Sequence, residues 1–310
     1  MIVIRKIPTV SVILPTYNRA GHIGRAIKSI LSQTYQDFEI IVVDDGSTDN
    51  TEEVVKTFND KRINYILQRR NQGPSIARNT GINAAKAEYI AFQDSDDEWL
   101  PEKLEKQLKV FNASPVDVGV VYTGFWKIID DKKIYIPFKW VKQKDGNIHN
   151  ELIKGNFVGT PAILIKKECF KKAGMFDTNL HALEDWELVI RISKYYNFKY
   201  IEEPLLITHQ SLDSITVDYN ALTEALDSII GKHFDYFGTN RTSLAHYYFM
   251  IGISYYSNGK TKKGRHYITK SIKLNPLNIK ILLASILSFI LNKKLFNNLI
   301  NIYKKLNYST

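Results

Sequence analysis

A chain of 310 residues, 44% hydrophobic and 12% aromatic, is long enough to bury one large core and a smaller one, and its composition excludes disorder. Its single cysteine, Cys169, excludes an intramolecular disulfide framework and a zinc site of several thiolates, and makes a reducing compartment the simpler assumption. The net charge of +10 is uneven: residues 232–310 carry eleven Lys and two Arg against Asp235 alone, a balance of +12 that leaves −2 for the first 231 residues. The basic character therefore belongs to the tail, where no nucleic-acid recognition motif accompanies it, so nucleic acid is not an expected partner.

The opening MIVIRKIPTV places Arg5, Lys6 and Pro8 where the apolar region of a signal peptide would continue. The longest apolar run, from Ile281 to Leu291, falls short of the roughly 20 residues that span a bilayer. A cytoplasmic location without a membrane span is the expectation.

The first 125 residues alternate short β-branched runs with amphipathic segments: TVSVIL, HIGRAIKSILSQ, FEIIVVDD, TEEVVKTF, RINYIL, SIARNTGINAAK and EYIAFQD. Runs such as Val10–Leu14 and Ile40–Val43 lack polar alternation, as parallel strands covered by helices on both faces do. The fold class is α/β. Ligands of open parallel sheets sit beyond the carboxyl ends of strands, and here four such ends read PTYNR, DDGSTDN, QRRNQGPS and QDSDDEW. In the second, Asp49 and Glu52 fit a helix-start capping box. Asp45 has no such structural reason and suits a base N–H or a ribose hydroxyl.

In the fourth, Asp94, Asp96 and Asp97 stand together. Packed carboxylates raise one another's pKa unless a cation joins them. The competing reading is a turn, with Asp97 and Glu98 complementing a helix that starts at Pro101. Both readings stand on this stretch alone.

After Ser114 the pattern predicts a hairpin through KIIDDKKIYIP, a loop GNFVGTPA (Gly155–Pro161 within it) whose Gly and Pro suit turns, and a strand AILIK, as a mixed-sheet extension. In EDWELVIRISKYY, Trp186, Val189, Ile190 and Ile192 share a buried side while Arg191 and Lys194 face outward. Glu184 and Asp185 open this helix, where acids complement the dipole. Beyond Asp218 the chain reads as helical hairpins. Tyr248, Ile251, Gly252, Tyr255, Gly264, Ile268, Ser271 and Pro276 fit one tetratricopeptide-like repeat, too few for an array.

Five motifs in register, VSVILPTYNR, VVDDGSTDNT, NQGPSIARNTGI, FQDSDDEWLP and EDWELVIR, resemble the family 2 glycosyltransferases over about residues 9–217. The resemblance implies a GT-A (Rossmann-like) fold, a mostly parallel sheet with helices on both faces, as a catalytic domain at 1–218 followed by a C-terminal α-helical region at 219–310. It implies a nucleotide-sugar donor, UDP-sugar by family expectation, with Tyr17 against the base, Pro15 and Thr16 lining its pocket, Asp45 bonding it, and Arg78 and Asn79 supporting that wall. Arg78 has a second reading as a solvated side chain.

By the same resemblance Asp94, Ser95 and Asp96 form the metal motif, with Asp96 the main ligand of Mg2+ or Mn2+ and the residues before it near the ribose. Hard oxygen ligands suit those ions. Asp185, beside Glu184, matches the general base of an inverting displacement. His209 falls where relatives often carry a basic residue at the diphosphate, although it departs from the commoner arginine, and it is carried with Asp94 and Asp96 as a metal-site candidate beside a structural reading.

A Gln-x-x-Arg-Trp sequence is absent, so one sugar per encounter is expected, onto a glycan or lipid-linked hydroxyl in cell-surface polysaccharide or glycoconjugate synthesis. Lys293, Lys294, Lys304 and Lys305, set among apolar stretches, suit peripheral contact with an anionic membrane face. The alternatives are an inactive interaction module using the basic tail, a pyrophosphorylase-like nucleotidyltransferase, which lacks its glycine-rich basic loop here, and a glycoside hydrolase, which gives no reason for the Tyr17 and Asp45 pocket.

Overall fold

The apolar run after Pro8 forms strand β1 (Val10–Thr16), buried at every position. The computed structural model describes residues 7–129, 132–209 and 219–290. Around β1 the first half of the chain builds α1 (Ile23–Leu31), β2 (Phe38–Asp44), α2 (Thr51–Lys56), β3 (Ile63–Leu67), α3 (Pro74–Ala84) and β4 (Tyr89–Phe92). Helix α1 buries Ile23, Ala26, Ile27 and Ile30, a three-to-four spacing that aims one stripe at the sheet. Strands β3, β2, β1 and β4 lie side by side and are all parallel. The order reverses at β1, so the carboxyl ends of β1, β2 and β4 open onto one crevice.

The chain continues through β5 (Glu98–Trp99), α4 (Lys103–Asn112), β6 (Val118–Ile129), β7 (Lys132–Ile136), α5 (His149–Leu152), a 3-10 turn at Thr160–Ala162, β8 (Ile163–Lys166), α6 (Cys169–Ala173), α7 (Glu184–Ile192) and β9 (Asn197–His209). These strands make the second half of the sheet mixed. β8 runs antiparallel to β4 and β6, β7 antiparallel to β6, and β5 antiparallel to β9, while β6 and β9 are parallel. An all-parallel order is thus confined to the βαβ half, and beyond it only β6 and β9 pair parallel, because a hairpin as short as β6–β7 can only return antiparallel.

Three local readings change. Helix α4 starts at Lys103, and Glu98 lies in β5, so the acids of DSDDEW do not complement a helix at Pro101. Asp49 and Glu52 form no capping box: Asp49 accepts from the Thr51 amide at 3.0 Å and the Ala20 amide at 3.1 Å, and Glu52 pairs with Lys56 at 2.7 Å. Arg191 does not face outward but bonds Glu187 at 2.8 Å and the carbonyls of Met175 and Ala173, because α6 ends beside it with unsatisfied carbonyls.

The chain divides into two compact units, Met1–Ser214 and Ile215–Thr310. The second is helical: α8 (Tyr219–Lys232), α9 (Phe234–Phe237), α10 (Arg241–Ser257), α11 (Thr261–Leu274) and α12 (Ile279–Ile290). Helices α10 and α11 cross closely at Gly252 and Gly264; a Cβ on Gly264 would stand 2.7 Å from the Tyr256 nitrogen. Tyr255, Ile251, Ile268 and Ser271 of the repeat-like pattern are buried around that crossing. Among the described residues no helix is long and apolar enough to cross a membrane. Lys293, Lys294, Lys304 and Lys305 lie outside the described residues.

Candidate active site

The loops after β1 and β2 are tied to each other. The Asp45 amide donates to the Thr16 carbonyl at 2.8 Å. Asn18, at φ +51°, donates its amide to Ser47 Oγ and accepts the Thr48 amide on Oδ1, each at 2.8 Å. Gly46 is required here: its φ is +81°, and a Cβ would meet the Arg70 backbone at 2.8 Å. Pro15 and Thr16 are buried and Thr16 Oγ1 has no hydrogen-bond partner among the described residues, whereas Tyr17 leaves 40% of its surface exposed at the mouth of the crevice.

Asp45 has a structural partner that sequence did not show. Its carboxylate accepts the amides of Gln72 at 2.9 Å and Gly73 at 2.7 Å, fixing the loop before α3. Burial pushes its pKa up, and those two amides pull it back.

The acids of the fourth strand end are crowded in fact as well as in sequence. Asp97 is buried, accepts the His209 amide at 3.1 Å, and donates its own amide to the Asp94 carbonyl at 3.2 Å, so a turn is present. The turn does not account for the charge. Burial, then Asp94 and Asp96, push the Asp97 carboxyl well above the usual range; burial, then Asp94, raise Asp96, against the opposing charges of Arg19 and His22. Ser95 is buried between them. The Arg25 guanidinium donates to the Asp96 carbonyl from α1.

β9 delivers His209 to the same place. Burial, then the Arg25 charge, push its imidazole pKa down, and its buried Nε2 has no partner among the described residues. A neutral imidazole is the form that ligates a cation. Among the described residues no three His, Cys, Asp or Glu side chains converge into a closed metal site. A Mg2+ or Mn2+ ion completed by diphosphate oxygens requires only one or two carboxylates, and repelling acids beside an orphaned imidazole nitrogen fit such an ion.

Arg78 joins this wall to the other. Only 6% exposed, it is not a solvated side chain: it donates to Asp94 at 2.8 Å and to Glu184 at 2.7 Å. Its neighbour Asn79 clamps the Phe176 backbone both ways, accepting its amide at 2.9 Å and donating to its carbonyl at 2.8 Å. α3 thereby holds the segment that leads to α7.

That segment ends at Leu183, at φ +58°, a left-handed conformation rare for leucine, which turns the chain into Glu184 and Asp185. Glu184 is committed to Arg78. Asp185 accepts the Trp186 amide at 2.7 Å and Asn156 Nδ2 at 3.2 Å. Burial, then the Glu184 charge, push its carboxyl up to about 6. The clasp by Arg78 and the contact from Asn156 were missed in the sequence, where neither residue's partner is within 15 positions; the GNFVGTPA loop around Asn156 was the one available signal.

The Glycosyl transferase family 2 model matches residues 11–174, and the chain belongs to that family. It is 27% identical over 283 residues to an uncharacterized glycosyltransferase of Haemophilus influenzae, covering 88% of this chain and 95% of that one. It is 32% identical over 164 residues to the putative teichuronic acid biosynthesis glycosyltransferase TuaG of Bacillus subtilis, covering 52% and 63%. Among solved structures, S. aureus TarS in complex with UDP-GlcNAc superposes with a TM-score of 0.67 at 18% identity, over 86% of this chain and 81% of that one. The mannosyltransferase PcManGT of Pyrobaculum calidifontis, in complex with GDP-Man and Mn2+, gives 0.58 at 18%, over 99% and 89%. These likenesses establish the GT-A fold, and the chain is a glycosyltransferase.

Proposed function

We propose that this glycosyltransferase moves one sugar from a nucleoside diphosphate sugar, a UDP-sugar first, to a hydroxyl acceptor with inversion, in the synthesis of a cell-surface polysaccharide or glycoconjugate. The observation that carries the reading is the Arg78 clasp, which fastens Asp94 of the acid loop and Glu184 beside Asp185 to one guanidinium. UDP-GlcNAc in TarS, and the teichuronic acid role given to TuaG, support the donor and product classes.

In this mechanism Tyr17 stacks on the base, Thr16 and Asp45 bond its edge, and Ser95 and Asp94 approach the ribose. Asp96 would hold Mg2+ or Mn2+ with His209 on the same side, while Asp94 stays on Arg78; when bound, the ion would stabilise the charge of the departing diphosphate. Asp185 takes the proton of the acceptor hydroxyl. The hydroxyl oxygen then bonds the anomeric carbon from the face opposite the diphosphate, whose bond to that carbon breaks, so the configuration inverts. A carboxyl raised to about 6 is a better proton acceptor than an ordinary aspartate and is still ionised at neutral pH. Residues 1–218 carry this chemistry.

Calorimetry with UDP, dTDP, GDP and CDP, each with Mn2+ or EDTA, on wild type and Asp96→Ala, tests the assignment. Metal-dependent binding of one nucleotide, lost in Asp96→Ala, is expected. A folded wild type that binds none would make the acids structural and favour the interaction module.

The helical region, residues 219–310, supports peripheral contact with an anionic membrane at the cytoplasmic face. On α12, Ile279, Leu282, Leu283 and Ile286 recur at helical spacing and are 70%, 42%, 54% and 46% exposed, and the basic excess of residues 232–310 complements anionic lipid. Flotation with phosphatidylglycerol vesicles should show binding that weakens with salt; equal recovery with and without vesicles rules the contact out.

A further inference from the structure

Two large aromatic side chains, one of them packed on Phe157 and Gly155, stand open to water. Phe138 and Trp140, in the segment leaving β7, are 40% and 44% exposed. Their rings are near-parallel, inclined by 18° with centroids 6.2 Å apart. Large rings left in water are disfavoured by roughly the 25 cal/mol per Å2 of apolar surface that burial would recover, so an adjacent exposed pair marks a binding surface.

The pair is anchored, and its anchor leads to the base. Trp140 meets Phe157 edge-on at 89°, with centroids 6.1 Å apart. Gly155 lies under the indole, where a Cβ would come within 3.1 Å of the ring. The next residue, Asn156, accepts the Val158 amide on Oδ1 at 3.2 Å and donates Nδ2 to Asp185 at 3.2 Å. One peptide and one hydrogen bond separate the floor of the aromatic pair from the carboxylate. The same segment runs on into a groove of about 460 Å3 bordered by Lys142, Gln143, Asp145, Tyr200 and Glu202.

We propose that Phe138 and Trp140 form an acceptor subsite, a platform for the C–H face of a pyranose ring in a glycan acceptor, with the groove taking the next unit of that glycan. The proposal rests on Asp185 being the base, which requires the acceptor hydroxyl within hydrogen-bond reach of it. A sugar so placed puts its ring, or its neighbour's, over the residues around Asn156. A pyranose offers a rigid apolar face with hydroxyls at its rim, and the site offers a flat apolar surface with polar groups around it, the usual composition of a small-molecule site. An acyclic polyol or a lipid chain has no such face.

The test uses the full chain and saturation-transfer NMR with cellobiose, chitobiose and methyl β-galactopyranoside, and with ribitol and glycerol as acyclic controls. Wild type should bind at least one pyranoside through ring C–H protons and neither polyol. Trp140→Ala should weaken that binding about tenfold, a factor equal to about 1.4 kcal/mol and near the upper end for ring stacking, and Trp140→Phe should recover most of it. Nucleotide affinity by calorimetry should be the same in all three, which shows that the variants fold. Pyranosides that bind Trp140→Ala as well as wild type, ribitol bound as tightly as a pyranoside, or a nucleotide-binding wild type that takes no pyranoside would each overturn the platform. A wild type that binds pyranoside on Trp140 but no nucleotide would sustain the platform and overturn the donor reading instead.

Discussion

Asp185, the proposed base, is held in a buried position that raises its carboxyl. In the proposed role of base it must be ionised, so with its carboxyl at about 6 the transfer rate should climb between about pH 5 and about pH 7 and level off above. Asp185→Asn should lower kcat by about 100- to 10,000-fold and leave nucleotide affinity unchanged. The same shift bears on stability. The raised carboxyl favours the folded state fully below its unfolded value, near 3.8, and that contribution is lost as pH rises through about 6. Asp185→Asn should therefore melt higher than wild type at about pH 8 and no higher at about pH 4, in thermal scans at the two pH values. A variant with the wild-type melting temperature at the higher pH would show that the carboxyl carries no burial cost.

At the scale of elements, α3 is the fastener. Its Arg78 reaches the loop after β4 and the first residue of α7, and its Asn79 holds the segment before α7 through two hydrogen bonds. Removing one partner from buried ion pairs leaves the other charge uncompensated, at a cost of about 3–5 kcal/mol. Arg78→Met should lose stability of that order in urea unfolding. Arg78→Lys keeps the charge but lacks the planar fork that serves two carboxylates at once, so it should recover only part of the stability and leave kcat depressed more than nucleotide affinity. Equal unfolding midpoints for Arg78→Met and wild type would mean that the clasp holds nothing.

For the whole molecule, the distribution of charge is informative where its total is not. The first 231 residues sum to −2, yet Asp94, Asp96 and Asp97 are gathered at one strand end, where burial first and neighbouring acids second hold the Asp96 and Asp97 carboxyls above the ordinary range. On the proposed reading, a fold that keeps such a cluster is less stable than it could be until a cation and a diphosphate bind. Mn2+ with UDP at about a hundredfold excess over Kd should add about 2.7 kcal/mol and raise the melting temperature by several degrees. Asp96→Asn should melt higher than wild type in EDTA and gain nothing from Mn2+ with UDP. If the variant is the less stable one in EDTA, the acids are held by the fold rather than imposed on it.

By itself the sequence determined the alternation of strands and helices through β4, the polar strand ends, the family and the residue types available for chemistry. These are local properties: β-branched runs, helical spacing and turn residues act within a few positions of one another. It also flagged the crowded acids, because like charges close in sequence remain close at any strand end. Only the tertiary structure decided what those residues touch. Arg78 meets Glu184 across 106 positions and His209 meets Asp97 across 112. Lys103, which any sequence reading leaves in solvent, is wholly buried with its ammonium 3.9 Å from the Trp99 ring. The mixed order of β5 to β9, the packing of Trp140 on Phe157 and the bond from Asn156 to Asp185 depend likewise on contacts between distant segments. Such pairings are set by packing of the whole sheet, whose energy no short window of sequence contains.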